Sequence, residues 1–162
     1  MNDPRQNLIR ILQNAHAGEV AAAFAYRGHW KSLRESPEKA RIKEIEAEEW
    51  DHRTRVGEWL SKLDAKPNAI REKIFWTIGR VIGAACFLSG WFMPMYFAGR
   101  LESGNVIEYE DAATFARELE MDECVEDLLD MARVEAEHEL FFREMVTGHR
   151  LLPVMKRVFR WS

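Results

Sequence analysis

Two short runs of ligand-type residues stand out in the sequence, Glu49-Trp50-Asp51-His52 and Glu135-Ala136-Glu137-His138. On a helix, positions i and i+3 share a face, so each run presents one carboxylate and one imidazole to the same side. Such a pair can hold one metal ion or part of two adjacent ones. A single ExxH run is weak evidence, because charged surface helices produce it by chance. Here each run is preceded by a glutamate at a similar distance: Glu19 lies 30 residues before Glu49, and Glu102 lies 33 before Glu135. The chain therefore holds two similar halves, each a glutamate followed by ExxH. Tyr26 and Tyr109 extend the repeat, each seven residues after its half's glutamate and so on the same helix face. Small residues precede both glutamates, Ala17-Gly18 directly and Ala98-Gly99 two residues further off, which suits close helix approach around a site.

The chemistry follows from the donors. Four carboxylates and two imidazoles suit iron or manganese better than thiolate-seeking metals. The expected ligand set is Glu19, Glu49, His52, Glu102, Glu135 and His138, holding two Fe ions, with Mn as an alternative at one position. Two glutamates from two helices and ExxH from two others form the general pattern of ferritin-like di-metal bundles. Competing readings attach to single residues. A lone glutamate is usually exposed, but small and apolar residues flank Glu19 from His16 to Tyr26. A carboxylate buried there would be very costly without a cation. Glu44, Glu46 and Glu48 compete with Glu49, and Glu137 and Glu139 compete with Glu135. His16 reads first as a packing or capping residue, with a hydrogen bond near the site as the alternative. His149 reads as exposed.

Helices must position these residues. Asp3-Pro4 starts one that runs to about Arg34, and Ser36-Pro37 starts a second that runs to about Leu63. Residues 74–100 are long and apolar, interrupted by Gly79, Arg80, Gly83, Gly90 and Pro94. Arg80 and the break at Ser89-Gly90 and Pro94 argue against a transmembrane span. The favoured reading is a buried connector followed by the start of a core helix; the alternative is a segment at a membrane interface. Trp76 and Trp91 are expected to border an apolar opening, and the six tryptophans to be mostly core or interface. Further helices run through Glu102 to about Glu118 and from about Asp122 to Val146. Gly148 and Pro153 end the last of these, before a basic tail, Lys156 to Trp161. No strand pattern is visible. The expected fold is all-α, a ferritin-like four-helix bundle forming one domain over residues 1–162, with an extra apolar connecting helix and a short C-terminal tail.

Composition narrows the class. At 47% hydrophobic and 31% charged the chain is ordinary for a globular protein. A formal charge of −4 argues against nucleic acid, which selects basic faces. Cys86 and Cys124 form no CxxC pair and read as buried thiols in a reducing compartment. The N-terminus shows no secretory signal, so a cytoplasmic location is expected. No dinucleotide-binding fingerprint is present, so electrons must come from an external donor.

Leu8-Ile9-Arg10, His16-Ala17-Gly18-Glu19 and Tyr26-Arg27-Gly28 resemble the demethoxyubiquinone hydroxylase family of ubiquinone biosynthesis. The resemblance continues through Glu49 and His52, the stretch Trp76 to Gly90, Leu101-Glu102, Tyr109, and Glu135 and His138. It implies an O2-dependent di-iron hydroxylase of a lipophilic quinone, with the six residues above as iron ligands. Tyr26 and Tyr109 would be hydrogen-bonding or relay groups at the catalytic site. It also implies peripheral contact with the inner face of a membrane; a homo-oligomer is a further expectation. The chain departs from the family at Ile107-Glu108-Tyr109, where a histidine usually precedes the tyrosine, around Gly90-Trp91-Phe92, and at Gly28-His29. These changes spare the metal ligands and touch the substrate side. The alternative is a rubrerythrin- or ferritin-like protein that scavenges peroxide, or oxidises and stores iron, without an organic substrate.

Overall fold

The computed structural model describes residues 3–161, and every regular element in them is a helix. In chain order these are α1 (Pro4–Ser32), α2 (Pro37–Lys62), α3 (Ala69–Ala85), α4 (Phe92–Glu118), α5 (Asp122–Val146) and α6 (Leu152–Phe159). Side-chain caps start three of them. Asp3, Ser36 and Asn68 accept from the backbone N–H of Arg5, Lys39 and Arg71, and prolines occupy the first turns of α1 and α2. Gly148 ends α5 at φ 81°, a left-handed conformation that favours glycine.

The helices α1 and α2 form one hairpin and α4 and α5 the other, joined chiefly by α1 against α4. Their buried side chains fall into two apolar blocks. One contains Leu8, Leu12, Val56, Leu60, Tyr109, Leu128 and Met131. The other contains Tyr26, Ile42, Ile45, Met95, Tyr96, Phe142 and Trp161. On every bundle helix the ligand-type residues lie between the two blocks: Glu19 between Leu12 and Tyr26, His52 between Ile45 and Val56, Glu135 between Met131 and Phe142. The polar cluster thus interrupts one long core, with apolar packing above and below it to fix the helices.

The helix α3 lies outside the bundle and packs on α1. Its buried residues are Gly79 and Gly83 alone. A Cβ added at Gly79 would lie 2.4 Å from the Ala21 carbonyl oxygen, and one at Gly28 would lie 2.2 Å from Gly83 Cα. The two backbones therefore nearly touch, and the bulky side chains of α3 point away. Ile70, Ile74, Trp76, Val81, Ile82, Phe87 and Leu88 are exposed. This corrects the expectation of a buried connector: the face that seeks α1 is the glycine face, leaving the isoleucines outside. The expected break is present, over residues 86–91, with Gly90 at φ 74°. Among the described residues no helix is long and apolar enough to cross a membrane.

The C-terminal segment also differs from the expected tail. Pro153 opens α6 instead of preventing it, since proline is tolerated in a first turn. Trp161 is buried against Gly99 and Phe142, and its Nε1 donates to Glu139 at 3.0 Å. His149 is half-buried, its ring stacked 4.1 Å from that of Phe92, rather than exposed. Both cysteines are free and buried, as expected.

Candidate metal centre

The structure brings together all six residues singled out by spacing. Glu19 comes from α1, Glu49 and His52 from α2, Glu102 from α4, and Glu135 and His138 from α5. None is more than 3% exposed. They form two overlapping groups, Glu19, Glu49, His52 and Glu135, and Glu49, Glu102, Glu135 and His138. Within each group one ligand atom per residue lies within 4.8 Å of the others. Glu49 and Glu135 belong to both. The result is two four-donor pockets sharing two carboxylates, each completed by one glutamate and one histidine of its own.

Glu135 sits between the imidazoles. Its Oε1 is 2.9 Å from His52 Nδ1, and its Oε2 is 3.1 Å from His138 Nδ1. Both histidines therefore turn the same ring nitrogen inward. Neither oxygen of Glu49 has a hydrogen-bond partner, and Glu19 Oε2 has none either. Buried carboxylate oxygens are rarely left so, and a cation is the partner that satisfies them at least cost. The donor set and its unsatisfied oxygens fit two divalent ions, whose charge would balance the four carboxylates.

Electrostatics in the metal-free site follow the same geometry. Burial, then the charge of Glu135, raises the Glu19 and Glu102 carboxyls, the latter strongly. Glu49 is pushed well up by burial and then by Glu135 and Glu19. Burial alone would lower His138, but its contacts with Glu135, Glu48 and Glu49 outweigh it and push it up to about 12. His52 is also raised, its contacts with Glu135 overcoming burial. Burial alone would raise Glu135, yet the two imidazoles bring it down to about 2. Imidazolium protons thus stand in for metal charge, and metal binding must displace them.

The tyrosines cross between the halves. Tyr26 donates to Glu102 and Tyr109 to Glu19, each to the glutamate of the other half rather than its own helix. Sequence spacing put each tyrosine on the correct face but could not reveal that the α1 and α4 faces interlock. Burial, then Glu19 and Glu135, holds the Tyr109 hydroxyl well above its ordinary value, so it remains a donor. Asn105, not anticipated, donates from Nδ2 to Glu102 Oε2 at 2.8 Å; its i+3 spacing from Glu102 was the available signal. Glu48 was visible only as a competitor of Glu49, and it accepts from His138 Nε2 at 2.6 Å.

Other candidates separate from the site. Glu46 accepts from Arg27 and Trp30, and Glu137 and Glu139 pair with Arg133 and Arg143. His16 bonds Glu72 of α3 at 2.7 Å, with Arg53 on the other oxygen of Glu72 at 2.6 Å. It ties α3 to the bundle and, among the described residues, makes no hydrogen bond or ion pair with the six. Gly18 has open space where its Cβ would lie, so the idea of close helix approach there fails. At Gly99 it holds: a Cβ would lie 2.9 Å from Phe142 Cβ on α5 and would also meet the ring of Trp161.

Comparison with known proteins agrees with this arrangement. A crystal structure described as ferritin-like, diiron-carboxylate proteins from Bacillus anthracis str. Ames superposes with a TM-score of 0.76 at 22% identity, covering 91% of this chain and 100% of that one. The bundle is therefore ferritin-like in fold. Two relatives named 3-demethoxyubiquinol 3-hydroxylase, from Francisella tularensis subsp. tularensis (strain WY96-3418) and subsp. holarctica (strain FTNF002-00 / FTA), are each 37% identical over 78 residues. Those matches cover 46% of this chain and 36% of each relative, so this chain aligns with only about a third of the curated relatives' length. The sequence model of the family described as ubiquinone biosynthesis protein COQ7 matches residues 6–109, more than half of the chain and four of the six clustered residues. By that match, the chain belongs to the ubiquinone biosynthesis protein COQ7 family.

Proposed function

We propose that the chain is a di-iron monooxygenase that hydroxylates a lipophilic quinol of the 3-demethoxyubiquinol type. The observation that carries this reading is the pair of buried four-donor pockets sharing Glu49 and Glu135. Family membership and the names of the relatives support the substrate class. The overall reaction takes a ring C–H bond, O2, two electrons and two protons to C–OH and water. The electrons come from an external donor. Bound iron would supply O2 activation.

The chain's own residues supply the setting. Glu19, His52, Glu102 and His138 each complete one pocket, while Glu49 and Glu135 serve both. The hydroxyls of Tyr26 and Tyr109 restrain Glu102 and Glu19 and hold a proton next to each carboxylate. The apolar blocks on both sides of the site exclude water from it. The exposed face of α3, with Ile70, Ile74, Val81 and Ile82, supports peripheral contact with a lipid surface, from which a lipophilic substrate would be drawn. On α6, Val154 and Val158 are exposed beside Lys156 and Arg157, which suits an anionic surface. A protein that only scavenged peroxide or stored iron would have no need of such a face, and the family does not favour that alternative.

The test is a turnover by the iron-loaded protein with 3-demethoxyubiquinol in detergent, a chemical reductant and isotopically labelled O2. The expected product carries one labelled oxygen on the ring. Rapid peroxide consumption by the loaded protein with the quinol left unmodified would overturn the reading in favour of the scavenging alternative.

A further inference from the structure

His138 has two ring nitrogens with different surroundings. Nδ1 faces the pocket, 3.1 Å from Glu135 and 3.4 Å from Glu49. Nε2 points the other way and donates to Glu48 Oε2 at 2.6 Å. Glu48 is itself fixed: Arg41, two turns earlier on α2, donates from Nη1 to both of its oxygens, at 3.1 and 3.2 Å. The chain Arg41–Glu48–His138 therefore runs from the half-exposed outside of α2 to the interior of the site. His52 is built differently. Its inward Nδ1 meets Glu135, and its ring meets the edge of Tyr109 at 6.0 Å. Among the described residues no carboxylate partners its Nε2.

We propose that Glu48 is the positioning residue of His138, and that it makes the pocket of Glu49, Glu102, Glu135 and His138 the tighter of the two. A neutral imidazole carries one N–H. Holding that proton on Nε2 leaves the Nδ1 lone pair free and aimed at the pocket, and fixes the ring's rotation. A carboxylate acceptor also makes the imidazole a better donor to a metal. His52 lacks that help, so the two pockets, alike in donor set, differ in strength. The inference rests on the reading of the six residues as metal ligands.

The experiment is titration of the metal-free protein with Co(II), following its ligand-field absorption, in the wild type, Glu48→Gln and Glu48→Ala. The wild type is expected to bind two ions in separable steps. Glu48→Ala should weaken the tighter step by about 10- to 100-fold, leave the other in place and alter the spectrum of the first-bound ion. Glu48→Gln keeps an acceptor oxygen without the charge, so it should recover a large part of the affinity. A merely structural role for Glu48 would change the melting curve and leave the cobalt spectrum as it was. Two wild-type-like steps with a wild-type spectrum in Glu48→Ala would overturn the proposal while leaving the metal reading intact. If Glu48→Ala does not fold, Glu48→Met, similar in length but without an oxygen acceptor, takes its place, and an unchanged titration and spectrum there would overturn the proposal equally. A wild type that binds no cobalt would defeat both.

Discussion

Glu49 is the residue on which the two pockets turn. It is fully buried, neither of its oxygens has a hydrogen-bond partner, its nearest cationic neighbour is His138 Nδ1 at 3.4 Å, and both groups include it. Two opposite effects of one substitution follow. Glu49→Gln should cost both metal ions, since the lost carboxylate serves both. Above neutral pH it should also raise the stability of the metal-free protein by about 1–3 kcal/mol, because a buried carboxyl that is costly to ionise is replaced by a neutral amide. A metal-free Glu49→Gln that melts below the wild type would contradict this. The glutamates of the separate pockets should behave differently: Glu19→Ala and Glu102→Ala should each retain one ion per chain. Loss of both ions from either, measured by elemental analysis, would show that the pockets are not independently closed. At this scale the sequence was unusually legible. All six clustered residues could be read from the doubled spacing, because i and i+3 on a helix leave no freedom of direction. The crossing of Tyr26 to Glu102 and Tyr109 to Glu19 was not legible, since it depends on how α1 and α4 face each other.

Between elements, helix pairs are held by different means. The α1–α3 contact is a backbone approach through Gly28, Gly79 and Gly83, clamped at one end by His16 and Arg53 on Glu72. Gly28→Ala would place a methyl carbon 2.2 Å from Gly83 Cα, so α3 must shift. Limited proteolysis should then cut within residues 64–91 faster than in the wild type, with two metals still bound by the bundle. Unchanged cleavage would mean that α3 is not held through this contact. Across α2 and α5 polar links add to the shared apolar blocks: Arg55 and Trp59 both donate to Asp127, and Arg55 also reaches Asp130 at 2.9 Å. Arg55→Ala leaves Asp127 without its guanidinium and Asp130 with that of Arg133 alone. It should destabilise the fold by about 1–2 kcal/mol, read as a lower denaturant midpoint with the slope unchanged. The outward face of α3 was misread from sequence because a run of isoleucines looks the same whether a core or a lipid surface covers it. What separates the cases is which face the glycines occupy, and Gly28, the partner of Gly83, is 55 residues away in the chain. Gly148 and Pro153 do follow the end of α5, but the helical form of the basic tail is not legible from them, because Pro153 lies in the first turn of α6.

For the whole molecule, the consequence of splitting one core around a charged cluster is that stability and metal binding become linked through pH. In the metal-free protein Glu49 and Glu102 titrate well above the usual carboxylate range and His138 near 12. A raised carboxyl costs stability as pH climbs above its unfolded value, because the folded site resists ionising it. A raised histidine contributes stability that is complete below its unfolded value of about 6.5 and is lost as pH rises toward the folded one. Both trends have the same sign above about pH 6.5, so the metal-free protein should weaken steadily from there upward. The opposing groups act lower down. Glu135, brought down to about 2, loses its contribution only as pH falls below the usual carboxylate range. His29, lowered by burial to about 4, becomes costly below about 6.5. Metal binding runs the other way, since protons compete for the same oxygens and nitrogens and release them as pH rises. The difference in melting temperature between metal-loaded and chelated protein should therefore widen from about pH 6 to about pH 8.5. At neutral pH it should reach several degrees, on the scale where about 1 kcal/mol moves a domain of this size by a few degrees. Parallel melting curves for loaded and chelated protein across that range would show that the six residues do not form one coupled, buried metal site.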